Sequence, residues 1–390
     1  MHATLFLHNF VSKSLSFIHK VRLKILLASV FSLMNDGRLT LTSLGRNLQG
    51  QAKVKNKIKS IDRLLGNTRL YKESFHVYLQ LSKKLLIDAK EAVVLLDFSG
   101  CCTKEYYLCR ASLIGKGRSI TIYQEVHPFG MHDNLKVKSN FLKKLKLILP
   151  EKVKITLITD AGFRTPWFKL VRSFGWDFVG RLRGNAKMRL LDTRKWLEIK
   201  QYFKCATTSP KFIGKALLST FHEFPINVYA YKAKLHGRKL KRMKGRILHI
   251  GKQEQYSRDK REPWIIVSSL QLKAISIINL YKKRMQIEQN FRDDKNERWG
   301  FGWRYGRTKN PERYSILMLI AYIASLVLWL IGRAAETKLL HKDYQANTSK
   351  KPTLSYLTLG KQVLKHSLSK ISAQDICKAI GGIACLQTAY

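Results

Sequence analysis

From residue 91 the chain changes period, and that change narrows the architectures open to it. EAVVLLDFSG (91–100) is a continuous apolar run carrying Asp97 near its end. YYLCRASLIG (106–115) and RSITIYQEVHP (118–128) read as two more strands, and Gly115-Lys116-Gly117 supplies the tight turn between them, so the three predict an antiparallel meander. A basic helix follows, NLKVKSNFLKKLKLILP (134–150), closed by Pro150. VKITLITDAGF (153–163) is then a buried strand with Asp160 at its carboxyl end. TPWFKLVRSFGW (165–176) opens a helix, with Thr165 read as N-cap and Pro166 at N1, and WDFVGRLRGN (176–185) is a further strand.

Three antiparallel strands, helix, strand, helix, strand is the order of an RNase H-like sheet, in which Asp97 and Asp160 sit on neighbouring strands. The expected class is therefore α/β: an RNase H-like catalytic core over 86–185 and 263–335. A β-rich insertion over 186–262 precedes a helix bearing Glu288, and helical regions cover 1–85 and 336–390. In the first of these, LTLTSLGRNLQ (39–49), with Thr42 or Ser43 as N-cap, and KNKIKSIDRLLGN (55–67) suit either a helix-turn-helix-like DNA grip or a plain helical hairpin. In the insertion, PINVYAYKA and GRILHIGK are short β-like runs, and the basic loop GRKLKRMKGR (237–246) suits phosphate tracking. The C-terminal region alternates apolar and basic positions at helical spacing, suited to packing on the core or on a second subunit.

Charge sets the partner. Lys and Arg number 72 against 26 Asp and Glu, a net +46. Self-repulsion on that scale calls for a polyanion, and nucleic acid is the first choice. A membrane surface would favour one basic amphipathic helix, whereas these cations run from end to end of the chain. Ile316–Ile331 is the one membrane candidate; at 16 residues it falls short of a span and predicts a buried core helix. The six cysteines form no CxxC pair, which predicts free thiols in a reducing cytosol and no zinc site.

Residues 274–298, AISIINLYKKRMQIEQNFRDDKNER, read as one helix. At about 100° per residue, Tyr281, Arg284, Glu288 and Lys295 share roughly a 60° arc beside an apolar face of Leu280, Ile287 and Phe291. The stripe is either an exposed helix face with an Arg284–Glu288 pair or one wall of a phosphate or metal site. With Asp97 and Asp160, Glu288 makes a three-carboxylate set of hard oxygen donors, suited to Mg²⁺ or Mn²⁺. Two such ions serve an in-line phosphoryl displacement.

The spacing Tyr281-x₂-Arg284-x₃-Glu288-x₆-Lys295, with Asp97 in LLDFSG and Asp160 in ITDAGF, resembles the signature of DDE cut-and-paste transposases of bacterial insertion sequences. It is most similar to the branch that includes the transposase of the tetracycline-resistance composite transposon. LTLTSLGRN, IDRLLGN, EPW and KRMQIE look like further blocks of that branch, so the resemblance spans nearly the whole chain. It implies Asp97, Asp160 and Glu288 as the catalytic, metal-binding triad holding two Mg²⁺ or Mn²⁺ ions. It implies strand cleavage, hairpin formation and strand transfer on double-stranded DNA at terminal inverted repeats and on target DNA. A homodimeric synaptic complex, and a place in the bacterial cytoplasm at the nucleoid rather than in a membrane, follow from the same resemblance. Tyr281, Arg284 and Lys295 match positions that hold backbone phosphate. Trp264 matches an aromatic on which a flipped base stacks; the alternative reading of it is a sheet-core tryptophan. Two other readings stand beside this one. One is a catalytically inactive, sequence-specific DNA-binding protein occupying element ends; the other is an RNase H-like nuclease without strand transfer.

Overall fold

The computed structural model describes residues 3–35, 37–101, 105–233, 262–298 and 300–387. Among them are ten β-strands and twelve α-helices, a mixed α/β architecture with a large sheet. The chain groups into two compact units. One comprises residues 1–155 and 285–389; the other comprises 156–284.

The first unit begins with α1 (Ala3–Ser14), α2 (Lys20–Met34), α3 (Leu41–Arg46), α4 (Val54–Leu65) and α5 (Thr68–Leu85). The N-cap of α3 is Thr40, ahead of the expected Thr42 or Ser43. Its hydroxyl accepts the Ser43 N–H because Thr40 is the last residue in extended conformation. Helices α3 and α4 cross closely at Gly45, where a Cβ would lie 2.6 Å from the Ile58 Cα. Ile61, Leu64 and Leu65 of α4 face inward, as their spacing predicts.

Next come β1 (Glu91–Gly100), β2 (Tyr106–Leu113) and β3 (Ile120–Pro128), an antiparallel meander in the expected order. Helix α6 (Leu135–Ile148) follows, capped by Asn134, whose side chain accepts from the N–H groups of Lys136 and Val137. The GRKLKRMKGR and GRILHIGK segments of the expected insertion lie outside the described residues.

The second unit holds β4 (Lys154–Thr159) from Thr156 on, α7 (Thr165–Ser173), β5 (Asp177–Leu182), β6 (Lys187–Leu190), β7 (Leu197–Glu198), β8 (Lys211–Leu218), β9 (Phe224–Tyr231), β10 (Trp264–Ser268) and α8 (Ala274–Lys283). Strands β4 and β5 are parallel, joined through α7, and the order then runs β5-β10-β9-β8-β6-β7 with antiparallel pairings. The cap of α7 is Arg164, with Thr165 already in the helix and its side chain buried; Pro166 keeps its place in the first turn.

The predicted single helix 274–298 is two. α8 ends at Lys283, and α9 (Met285–Lys295) begins in the first unit after Arg284, whose N–H bonds the Tyr281 carbonyl in a tightened i→i−3 turn. Lys282 and Lys283 close α8 and Glu288 opens α9, the arrangement that the dipoles of two successive helices favour.

After α9 the chain builds α10 (Pro311–Thr337), α11 (Tyr356–His366) and α12 (Ala373–Gln387). The apolar run Ile316–Ile331 thus belongs to a helix of 27 residues, capped by Asn310. Length does not separate it from a membrane span, contrary to the 16-residue argument. Burial does: 89% of its most apolar window lies inside the protein. It is buried nearly all round because α2, α5, α11, α12 and β3 pack against it. Gly332 and Gly360 let α10 and α11 touch backbone to backbone, since a Cβ at Gly332 would meet the Tyr356 carbonyl oxygen at 2.0 Å. Among the described residues Cys109, Cys205 and Cys377 are free thiols.

Candidate active site

In the first unit Asp97 and Glu288 line one open cavity of about 570 Å³, with Ser99, Arg292, Lys295 and Arg304 among its other walls. Strand β1 emerges from the core at Leu96, and its last residues rise into half-exposed positions, which brings Asp97 to the surface. The Asp97 Oδ1 accepts the Phe98 N–H at 2.8 Å. Two residues on, and so on the same strand face, the Ser99 hydroxyl accepts from the Lys295 ammonium at 2.7 Å. Lys295 also lies 5.2 Å over the Trp303 ring.

The loop bearing Trp303 turns back under the end of α9 at Gly300, where a Cβ would sit 1.5 Å from the Asp293 carbonyl oxygen, so only glycine permits that return. The segment GFGWRYGR, which lacks the pattern of a nucleotide loop, gives the cavity Arg304, which is exposed, while its Phe301 and Trp303 are buried.

Asp160, Trp264, Tyr281 and Arg284 belong to the second unit. Asp160 follows β4 and accepts the Gly162 N–H at 2.9 Å, so it also shapes its own turn. Trp264 opens β10 half-buried. Its ring meets Tyr281 edge-on at 5.2 Å and Tyr231 at 5.7 Å, and the Arg181 guanidinium lies 5.9 Å from it. Arg284 lies 5.9 Å over the Tyr281 ring. Burial pushes the Tyr281 hydroxyl above its ordinary pKa, with Arg284 and Arg181 pulling down and Asp160 pushing up. The phenol is therefore neutral at physiological pH.

Sequence reasoning missed Arg181 and Arg183. Both pair with Glu262, Arg183 at 2.9 Å and Arg181 at 3.7 Å. Burial, and then Arg183, lower the Arg181 pKa, as expected where cations gather around an anion site. Their signal was in GRLRGN: two arginines alternating at the end of a strand and pointing to one face.

The donor chemistry fits a hard divalent cation, since two carboxylates with oxygen-only donors share the first unit's cavity and a strand-end Asp160 stands in the second. Among the described residues no three His, Cys, Asp or Glu side chains come together closely enough to hold one.

An α/β enzyme domain that sets carboxylates beside clustered guanidinium groups is equipped to process phosphodiesters. Residues 102–324, more than half of the chain, match the transposase DDE domain. The chain belongs to that family, and membership makes it a transposase-type nuclease with DNA as its partner. Asp160 and Glu288 fall inside the matched span and Asp97 lies just ahead of it. No curated protein matches the chain.

Proposed function

We propose that this protein is a cut-and-paste DNA transposase of a bacterial insertion sequence, in the Tyr-Arg-Glu-Lys branch. The observation that carries the reading is the cavity in which Asp97, on a strand, and Glu288, on a helix, face the same space beside Lys295. In an RNase H-like arrangement Asp160 joins them as the third carboxylate. The substrate is double-stranded DNA at terminal inverted repeats, later target DNA, and two copies of the chain synapse the element ends in the bacterial cytoplasm.

Asp97, Asp160 and Glu288 are the residues that would hold Mg²⁺ or Mn²⁺; when bound, two such ions supply positive charge to the attacking and leaving oxygens of an in-line displacement. Lys295, tethered to Ser99, holds a phosphate at the strand end. Arg284 and Arg181, with the neutral Tyr281 hydroxyl as a further donor, grip the adjacent backbone. Trp264 offers a half-exposed ring on which an extruded base stacks, worth about 1–3 kcal/mol against the cost of unstacking. A grip of this kind serves hairpin formation and strand transfer, whereas simple hydrolysis has no need of it.

The test is Glu288→Ala assayed on duplex DNA carrying the cognate end. End binding persists and divalent-ion-dependent cleavage disappears; retained cleavage rejects the assignment. The alternative reading is a catalytically inactive protein that occupies element ends. Donor-site breaks in a cellular excision assay reject it.

A further inference from the structure

Helix α9 presents Glu288 and Lys295 to the cavity, and a second polar stripe on it, Gln286, Asn290, Asp293 and Asp294, faces the β2–β3 hairpin. Gln286 makes a two-way bond with the Gly115 backbone, donating to its carbonyl and accepting its N–H, both at 2.8 Å. The Asn290 amide donates to the Ser119 carbonyl at 3.1 Å. Arg118 holds Asp293 through two nitrogens, at 2.6 and 3.3 Å.

At the centre is Arg110 of β2, only 2% exposed. Its Nε donates to the Gln124 side chain at 2.9 Å, its Nη1 donates to Asn290 and lies 2.6 Å from the Asp294 carboxylate, and its guanidinium stacks 4.5 Å over Phe291. Gln124 is in turn fixed by donating to the Tyr78 hydroxyl and the Met318 carbonyl. Arg110 is also the register partner of Asp97 across the β1–β2 ladder. Directly opposed residues in an antiparallel pair project to the same sheet face. One side chain therefore rises beside Asp97 and grips the helix that carries Glu288.

We infer that Arg110, through Asp294 and Asn290, is a positioning residue that sets the rotation and axial position of α9, and hence the distance between the Asp97 and Glu288 carboxylates. Packing by Ile287 and Phe291 keeps α9 on the sheet, but apolar contacts slide and rotate at little cost. A planar guanidinium committed to three side chains does not. The inference rests on the proposed catalytic role of Glu288.

The experiment uses the full chain and duplex DNA carrying the cognate end. Arg110→Met alone leaves Asp294 buried without its cation and is a folding risk, so the informative variant is Arg110→Met/Asp294→Leu, which replaces the pair with apolar volume. Expected are end binding and thermal unfolding close to wild type, a cleavage rate constant at saturating DNA reduced at least 100-fold, and an unchanged KM. Faster amide hydrogen exchange across 287–294 should accompany the loss, a readout that does not depend on activity. Wild-type cleavage by the double variant, or unchanged exchange in α9, overturns the inference. Glu288→Ala run in parallel separates the two levels. If it cleaves normally, the proposed site is at fault; if it is dead while the double variant is active, only the positioning role falls.

Discussion

Glu125 on β3 gives the most direct route from this structure to a measured free energy. Its side chain is 15% exposed and its carboxylate accepts from the Tyr123 hydroxyl and the Lys144 ammonium, with the His127 Nε2 at 3.1 Å. Burial by itself would raise the carboxyl; His127, Lys144 and Tyr123 outweigh it and bring it from 4.5 down to about 2. Each tenfold change in an ionisation constant is about 1.4 kcal/mol, so this depression contributes about 3 kcal/mol to folding at neutral pH. A folded-state value below the unfolded one means that the contribution is complete above 4.5 and lost as pH falls toward 2. By pH 3 more than half of it is gone. Asp294 acts in the opposite sense: burial holds its carboxyl above the ordinary value despite Arg110, so its protonation favours folding as pH falls. A pH titration of the wild type alone mixes the two. The perturbation is therefore Glu125→Gln, and the quantity is the difference between wild type and variant in urea unfolding free energy from pH 7 to pH 3. A difference near 3 kcal/mol at pH 7 that closes by more than half at pH 3 is expected. A difference that stays constant with pH, or is absent at pH 7, refutes the reasoning.

Two further outcomes follow from other parts of the molecule. Gly360→Ala places a methyl where the Leu328 carbonyl oxygen stands 2.1 Å away, backbone against backbone, so α10 and α11 must separate. A cost of about 1–3 kcal/mol is expected, read as a lowered melting temperature, and Gly332→Ala behaves alike. DNA end binding should weaken steeply with salt, with a slope of log K against log salt below about −4, as several phosphate contacts require; a slope near zero contradicts the polyanion argument.

The strands were legible because buried sheet strands are short apolar runs bounded by turn residues: β1 spans the residues its sequence marks out, and Gly115-Lys116-Gly117 lies between β2 and β3. The break at Arg284 was not, since no proline or glycine marks it. Three consecutive cations followed by a carboxylate in the next turn were the available sign, and a dipole effect of a few tenths of a kcal/mol to about 1 kcal/mol is easily passed over. The contacts of the α9 stripe of Gln286, Asn290, Asp293 and Asp294 were not legible, because polar spacing alone does not distinguish water from a hairpin backbone. Arg110 escaped for a related reason. Strand β2 is buried from Leu108 onward on both faces, so its lone arginine broke no alternation. Which residues Arg110 meets depends on a helix 180 positions away in sequence. Asp97 and Glu288 could be nominated from their motifs. That they face one cavity is a property of the meander and of the glycine return at Gly300, neither of which a motif contains.

The charge of the chain and its internal ion pairs fit one economy. Many of the 26 acidic residues are engaged within the fold: Glu73 with Arg22, Asp62 with Arg313, Asp293 with Arg118, Asp294 with Arg110, Asp177 with Arg172, Glu262 with Arg183. Each pairing takes one cation as well, so the surplus of +46 is untouched and must be carried elsewhere. It is carried on helix faces. Lys53, Lys55, Lys59 and Arg63 are exposed on or beside α4, and Lys136 and Lys143 on α6. Like charges one helical turn apart, such as Lys55 and Lys59, cost a few tenths of a kcal/mol each in the isolated chain. A DNA backbone supplies a phosphate about every 1.7 Å along its axis and converts those repulsions into attractions. The same logic reaches Glu262. Its one carboxylate holds Arg181 and Arg183 together, so two like charges are kept side by side within the fold.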